Sequence, residues 1–154
     1  MRARRLLILI AAVVVASACL AGCGGKSSTA PPPPPQGGAR NEVEPNDFTA
    51  QSLGALGAND FVVSGAISSG ADVDLYSVSS STVFSLYASV DWNTASDDLE
   101  LAISNSNGVF VRHVNTAGHP EACTIAGLPA GTYTVRVDAL GSASTSYQLT
   151  IGTR

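Results

Sequence analysis

From Asn41 to Arg154 the sequence predicts an all-β fold, a sandwich of two antiparallel sheets with about eight strands. Apolar and polar residues alternate with period two in run after run, the mark of strands with one buried face. The runs are short, and Gly, Pro, Asn and Ser punctuate them. Only one stretch has a helical character, Phe48 to Leu53, one or two turns that Asp47 would cap and Gly54 would end.

Taken in order, Phe61–Ile67 and Val73–Val78 are the first two strand runs. Phe84, Leu86, Ala88 and Val90 then alternate with Ser85, Tyr87 and Ser89, and Leu99, Leu101 and Ile103 with Glu100 and Ala102. Shorter runs follow at Val109–Asn115 and Ala122–Ile125. Tyr133, Val135 and Val137 alternate with Thr134 and Arg136, and Tyr147, Leu149 and Ile151 close the chain. Turn chemistry separates them at Ser69-Gly70, Ser106-Asn107-Gly108, Pro129-Ala130-Gly131 and Gly141-Ser142.

The residues before Asn41 have another purpose. Arg2, Arg4 and Arg5 precede ten uninterrupted apolar residues, Leu6 to Val15, and a small-residue stretch leads to Cys23. That is the layout of a bacterial secretory signal. The uncharged run to Gly22 is 17 residues, short of the ~20 that a membrane-spanning helix needs. Leu20-Ala21-Gly22-Cys23 resembles the lipobox of bacterial lipoproteins, which implies removal of residues 1–22 and acylation of Cys23. Residues 23–40, rich in Ser and Gly and holding Pro31 to Pro35, are too polar and proline-rich to bury a core and read as a tether. The expected organisation is therefore a signal over 1–22, a lipidated tether over 23–40 and one domain over 41–154, at the outer membrane or cell surface.

After removal of the signal, five basic residues face twelve acids, a net charge of −7. Such a surface argues against nucleic acid, which needs clustered Lys and Arg. Of three cysteines, Cys19 leaves with the signal and Cys23 carries lipid, so Cys123 has no partner for an intrachain disulfide and reads as a small buried strand residue.

The acids gather in two places. Glu42-Val43-Glu44-Pro45-Asn46-Asp47 opens the domain, and Asp72-Val73-Asp74 starts a strand. Pro45 holds Glu44 extended, so Glu42 and Glu44 share a side, as do Asp72 and Asp74. Brought together, the clusters offer five or six hard oxygen ligands, the coordination Ca²⁺ takes. The bland alternative makes Asp47 a helix cap, Asp72 a turn residue and the glutamates solvated.

Glu44-Pro45-Asn46-Asp47, Asp72-Val73-Asp74-Leu75-Tyr76, Asp98-Leu99-Glu100-Leu101, Pro129-Ala130-Gly131-Thr132-Tyr133 and Tyr147-Gln148-Leu149-Thr150-Ile151 occur in an order that resembles the bacterial pre-peptidase C-terminal domain. That family is a jelly-roll-like sandwich, usually appended to secreted proteases and related to the collagen-binding domains of clostridial collagenases. The resemblance implies calcium as cofactor, with Glu42, Glu44, Asn46, Asp47, Asp72 and Asp74 as ligands. Glu100 stands where the family commonly has aspartate, on a different strand. No protease domain accompanies the module in this sequence.

Catalytic signals are weak. His113 and His119 form no metal signature, and neither a Gly-x-Ser-x-Gly elbow nor a His-Glu-x-x-His motif is present. Glu100 is expected to point outward on its strand. The expected function is binding: an accessory or adhesive module for an extracellular protein or polymer, with Tyr87 and Trp92 on or near an exposed surface as candidate ligand contacts. The rivals are a structural envelope lipoprotein and a carbohydrate-binding module independent of calcium.

Overall fold

A computed structural model describes residues 37–154, apart from 95 and 142. The lipobox, Cys23 and the tether as far as residue 36 lie outside the described residues.

The chain forms a two-sheet β-sandwich of ten strands: β1 (Gly38–Asn41), β2 (Gln51–Ala55), β3 (Phe61–Ile67), β4 (Val73–Ser80), β5 (Phe84–Trp92), β6 (Leu99–Asn105), β7 (Phe110–Val114), β8 (Glu121–Leu128), β9 (Gly131–Ala139) and β10 (Thr145–Thr153). The first sheet has the order β1-β3-β10-β5-β8 and the second β2-β4-β9-β6-β7. Strand parity builds the core. Phe61, Val63, Leu86, Ala88, Val90, Leu149 and Ile151 of the first sheet are fully buried with Tyr76, Leu99, Leu101, Ile103, Val135 and Val137 of the second. Interleaved side chains of two such faces fill the ~10 Å between packed sheets.

All eight predicted strands form: six are two to four residues longer than predicted, β3 keeps its bounds, and β7 is two residues shorter. The differences lie at the sheet edges. β1 pairs with β3 and β2 with β4, both in parallel, so each sheet is mixed rather than purely antiparallel. β1 starts at Gly38, three residues inside the stretch assigned to the tether.

The short helix expected over Phe48–Leu53 does not form, and among the described residues there is no helix. Leu53 is instead an inward residue of β2, 4% exposed, where it gains more from the core than one helical turn would give it. At the register shift between Ser52 and Gly54, Gly54 takes φ +106°, a conformation open to glycine alone at little cost.

Trp92 is not on the surface. It continues the inward parity of Val90, is 5% exposed, and donates its indole N–H to the Asp97 carbonyl at 3.0 Å. Tyr87 does face outward on β5 but is half-buried, its ring 4.2 Å beneath the Arg154 guanidinium, which pairs with Asp60 at 2.7 Å. Cys123 is buried on β8, as read, and burial pushes its thiol above the ordinary range. Glu100 lies on the outer side of its strand yet is only 7% exposed, because His113 and Asn115 close over it with bonds of 2.9 and 2.6 Å.

Candidate metal centre

The two acidic segments meet at one end of the sandwich. After β1, the Glu42 N–H donates to the Ser64 carbonyl at 2.9 Å, extending the pairing with β3. The chain then turns towards β2, and Gln51 pins the crossing: its Nε2 donates to the Asn41 carbonyl at 2.9 Å, and its Oε1 accepts the Val43 N–H at 3.0 Å. Opposite, the turn before β4 is closed by the Asp72 N–H on the Ser69 carbonyl at 3.1 Å. Asp72 and Asp74, two residues apart, then point the same way and are both buried.

Oxygens of Glu42, Glu44 and Asp74 lie within 4.8 Å of one another, and so do oxygens of Asp47, Asp72 and Asp74. Asp74, fully buried, belongs to both groups. Asn46, 1% exposed, sits among them. All six residues singled out from the sequence are therefore brought to one place, with Asp74 at its centre.

The carboxylates differ in how far hydrogen bonds already satisfy them. Glu42 accepts the Ala66 N–H at 2.9 Å on Oε2 and the Tyr76 hydroxyl at 3.0 Å on Oε1. Asp72 Oδ2 takes the Ser68 N–H at 2.6 Å, and Asp47 Oδ1 the Val73 N–H at 3.4 Å. Glu44 Oε2 accepts only from Asn46, whose N–H is 2.9 Å away. Burial disfavours the Asp72 charge, but the bonds around it outweigh that and hold its carboxyl below the usual range. For Asp74 burial wins, reinforced by the neighbouring Glu42, and its carboxyl is pushed up to about 8 although the Tyr147 hydroxyl opposes the shift.

Asn46 decides whether the residues suit a cation. One end of its carboxamide faces Asp74 Oδ1 at 3.0 Å and Glu44 Oε2 at 3.1 Å. With the nitrogen at that end, it donates to both. With the oxygen there, the nitrogen reaches Glu42 Oε1 at 3.3 Å and the oxygen faces two carboxylate oxygens, an arrangement that a cation between them satisfies. An all-oxygen group dominated by carboxylates is the donor chemistry of Ca²⁺ and Mg²⁺, not of Zn²⁺ or copper, so the residues present fit a hard cation.

Two tyrosines missed in the sequence back the cluster. Tyr147 donates to Asp74 Oδ2 at 2.6 Å, and the Tyr76 and Tyr147 hydroxyls are 2.5 Å apart. Burial raises both phenols well above their ordinary range, so they remain protonated donors. The signals were present: Tyr76 shares the parity of Asp72 and Asp74, and Gly65 interrupts the inward row Phe61, Val63, Ile67. The missing side chain at Gly65 makes room for the Tyr147 ring, which an added Cβ would meet at 2.5 Å.

His113 Nε2 bonds Glu100. His119 Nε2 lies 2.9 Å from Asp91 and 2.6 Å from the Trp92 carbonyl. Among the described residues, neither bonds a hydroxyl or thiol nucleophile.

The sequence matches no protein-family model and no curated protein. Among solved structures, the fold is similar to the pre-peptidase C-terminal domain of a collagenase from Bacillus anthracis, with a TM-score of 0.56 at 14% identity over 71% of this chain and 99% of that one. A mitogen derived from Yersinia pseudotuberculosis aligns with a TM-score of 0.51 at 13% identity, over 62% of this chain and 86% of its own. At such identities the likeness is one of fold.

Proposed function

We propose that this protein is a non-catalytic binding module of the bacterial envelope, stabilised by calcium and anchored through lipid on Cys23. The observation that carries the reading is the convergence of four carboxylates and the Asn46 carboxamide around a fifth carboxylate, buried Asp74. Crowded acids repel one another, and a divalent cation among them removes the repulsion while adding direct oxygen bonds. Glu44, Asn46 and Asp74, which lie closest about the Asn46 carboxamide, are ligands, with Asp47 and Asp72 completing the shell. Glu42 acts as the hinge post, tied to Ala66 and Tyr76. The ion then fastens the segment before Phe48 to the start of β4.

The lipobox-like Leu20-Ala21-Gly22-Cys23 behind an apolar signal supports an extracytoplasmic site of action at the outer membrane or cell surface. The absence of a nucleophile beside either histidine, among the described residues, supports binding over catalysis. The partner is an extracellular protein or polymer. Titration calorimetry of the metal-free protein with Ca²⁺ tests the reading. Saturable binding in the range of about 10⁻⁴ to 10⁻³ M or tighter is expected, and no heat in chelator-treated protein refutes the calcium site.

A further inference from the structure

The outer face of the first sheet holds a cleft of about 480 Å³, lined by Ser64, Asp91, Asn93, Ser146, Tyr147 and Gln148 together with Gly65. It is separate in chemistry from the acidic cluster. Register places Ser64, Gln148 and Asp91 side by side on β3, β10 and β5, a row of three polar side chains straight across three strands. With strands ~4.8 Å apart, that row spans about 10 Å. Ser146 stands one repeat further along β10, and the Asn93 N–H donates to its carbonyl at 3.2 Å, so Asn93 flanks it. All five side chains belong to exposed residues, while Tyr147 turns inward and its ring lies over Gly65.

The floor is held firmly. Glu42 ties to both the Ser64 carbonyl and the Ala66 N–H, and His119 holds the Asp91 carboxylate at 2.9 Å. The strand backbones that carry the row are thereby fixed, so a ligand has little backbone to order when it binds.

We infer that this cleft binds a neutral oligosaccharide. The volume lies within the ~300–1,000 Å³ of small-molecule sites. The lining, however, lacks the apolar walls that drug-like ligands use, so the occupant must supply hydrogen bonds rather than apolar surface. Hydroxyls and carboxamides both donate and accept, and a carboxylate accepts strongly, which together match a ligand that carries many hydroxyls. No Lys or Arg lines the cleft and Asp91 does, so phosphate, sulfate and uronate groups are disfavoured. The inference rests on the reading of the domain as a binding module and names its ligand class.

The test is an NMR titration of the full ¹⁵N-labelled chain in detergent micelles with cellotriose, maltotriose and triacetylchitotriose, and with trigalacturonate as anionic contrast. Saturating shifts at Ser64, Asp91 and Gln148 are expected with at least one neutral trimer and none with trigalacturonate. Gln148→Ala and Asp91→Ala each should weaken binding about tenfold, the loss of roughly one good hydrogen bond, with the rest of the spectrum unchanged. No saturable shift with any neutral trimer, shifts mapping elsewhere, equal binding of trigalacturonate, or binding indifferent to both substitutions would each overturn the assignment. Cleavage of a bound trimer would support the cleft and sink the non-catalytic reading. Absent binding beside an intact calcium heat would sink the cleft alone.

Discussion

The Tyr147 hydroxyl, carried by β10 of the first sheet, donates to Asp74 Oδ2 on β4 of the second at 2.6 Å. The bond links the two sheets at the point where the acidic segments converge. It also passes the interaction outward, since Tyr76 touches the Tyr147 hydroxyl and donates towards Glu42. A phenol in a sandwich core needs such a partner, because an unsatisfied buried hydroxyl costs about 1–3 kcal/mol.

Tyr147→Phe keeps the ring against Gly65 and removes only the hydroxyl. Asp74 then loses its strongest donor. In chelator, the variant should unfold with about 1–3 kcal/mol less stability in urea. Gly65→Ala drives a methyl into the Tyr147 ring and should cost at least as much by displacing it. Wild-type stability in both variants would show that the tyrosine network contributes nothing.

Eight strands and the two acidic segments were legible because alternation and acid spacing are local signals, whereas the full set of six with Asn46 came from the family resemblance. β1 and β2 were not. Gly38-Ala39-Arg40-Asn41 shows no apolar face, and Gln51–Ala55 offers only Leu53, so parallel pairing with a neighbour alone makes them strands. Asp47 looked like a helix cap because capping and metal-cluster acids use the same side chain; the Val73 N–H and Asp72 settle its position. Trp92 was legible and misread, since the parity of Phe84, Leu86, Ala88 and Val90 already pointed it inward. Glu100 was read outward correctly, but the cover that His113 and Asn115 provide comes from β7 and the loop after it, too far along the chain to infer.

Trp92 is the protein's one tryptophan, which makes its placement directly measurable. Its emission should be blue-shifted and weakly quenched by acrylamide in the folded protein, and both should normalise in denaturant. Trp92→Ala should cost roughly 3–5 kcal/mol, the usual penalty for emptying an aromatic core site. A readily quenched tryptophan would return it to the surface.

Cys23→Ala should abolish lipid attachment and shift the protein from the membrane fraction to the soluble one. Each buried acyl methylene contributes ~0.8 kcal/mol, so several chains together hold a protein where one does so poorly. Mass spectrometry of the mature N-terminus and fractionation after a carbonate wash read the outcome. A variant that stays with the membrane would point to a spanning anchor instead.

Glu121, 1% exposed, gives a pH dependence away from the acidic cluster. Burial raises its carboxyl above 4.5 despite bonds from the Thr116 N–H at 2.6 Å, the Thr116 hydroxyl at 3.1 Å and the Leu101 N–H at 3.2 Å. The folded state therefore holds this proton more tightly than the unfolded one. Its contribution is fully present below pH 4.5 and is lost as pH rises through the folded value. Glu121→Gln does not titrate, so the stability difference between wild type and variant should shrink with rising pH across that window. Urea midpoints at several pH values, in chelator, measure it; a constant difference would place the Glu121 carboxyl at its ordinary acidity.

Calcium is expected to raise the melting temperature. At a hundred times its dissociation constant a ligand adds ~2.7 kcal/mol to folding stability, which for a domain of this size is about 10 °C. Glu44→Gln leaves the fold's hydrogen bonds almost untouched, since Glu44 Oε2 accepts only from Asn46, and should remove most of the shift. Asp74→Asn should remove all of it, because both oxygen groups include Asp74. Asp98→Asn, whose carboxylate belongs to neither group, should keep the full shift. If calcium holds the cluster, the segment between β1 and β2 should loosen without it, and limited proteolysis near exposed Phe48 should be faster in chelator than in calcium. Identical melts and identical cleavage with calcium and with chelator would leave the acidic cluster a hydrogen-bonded corner of the sandwich and nothing more.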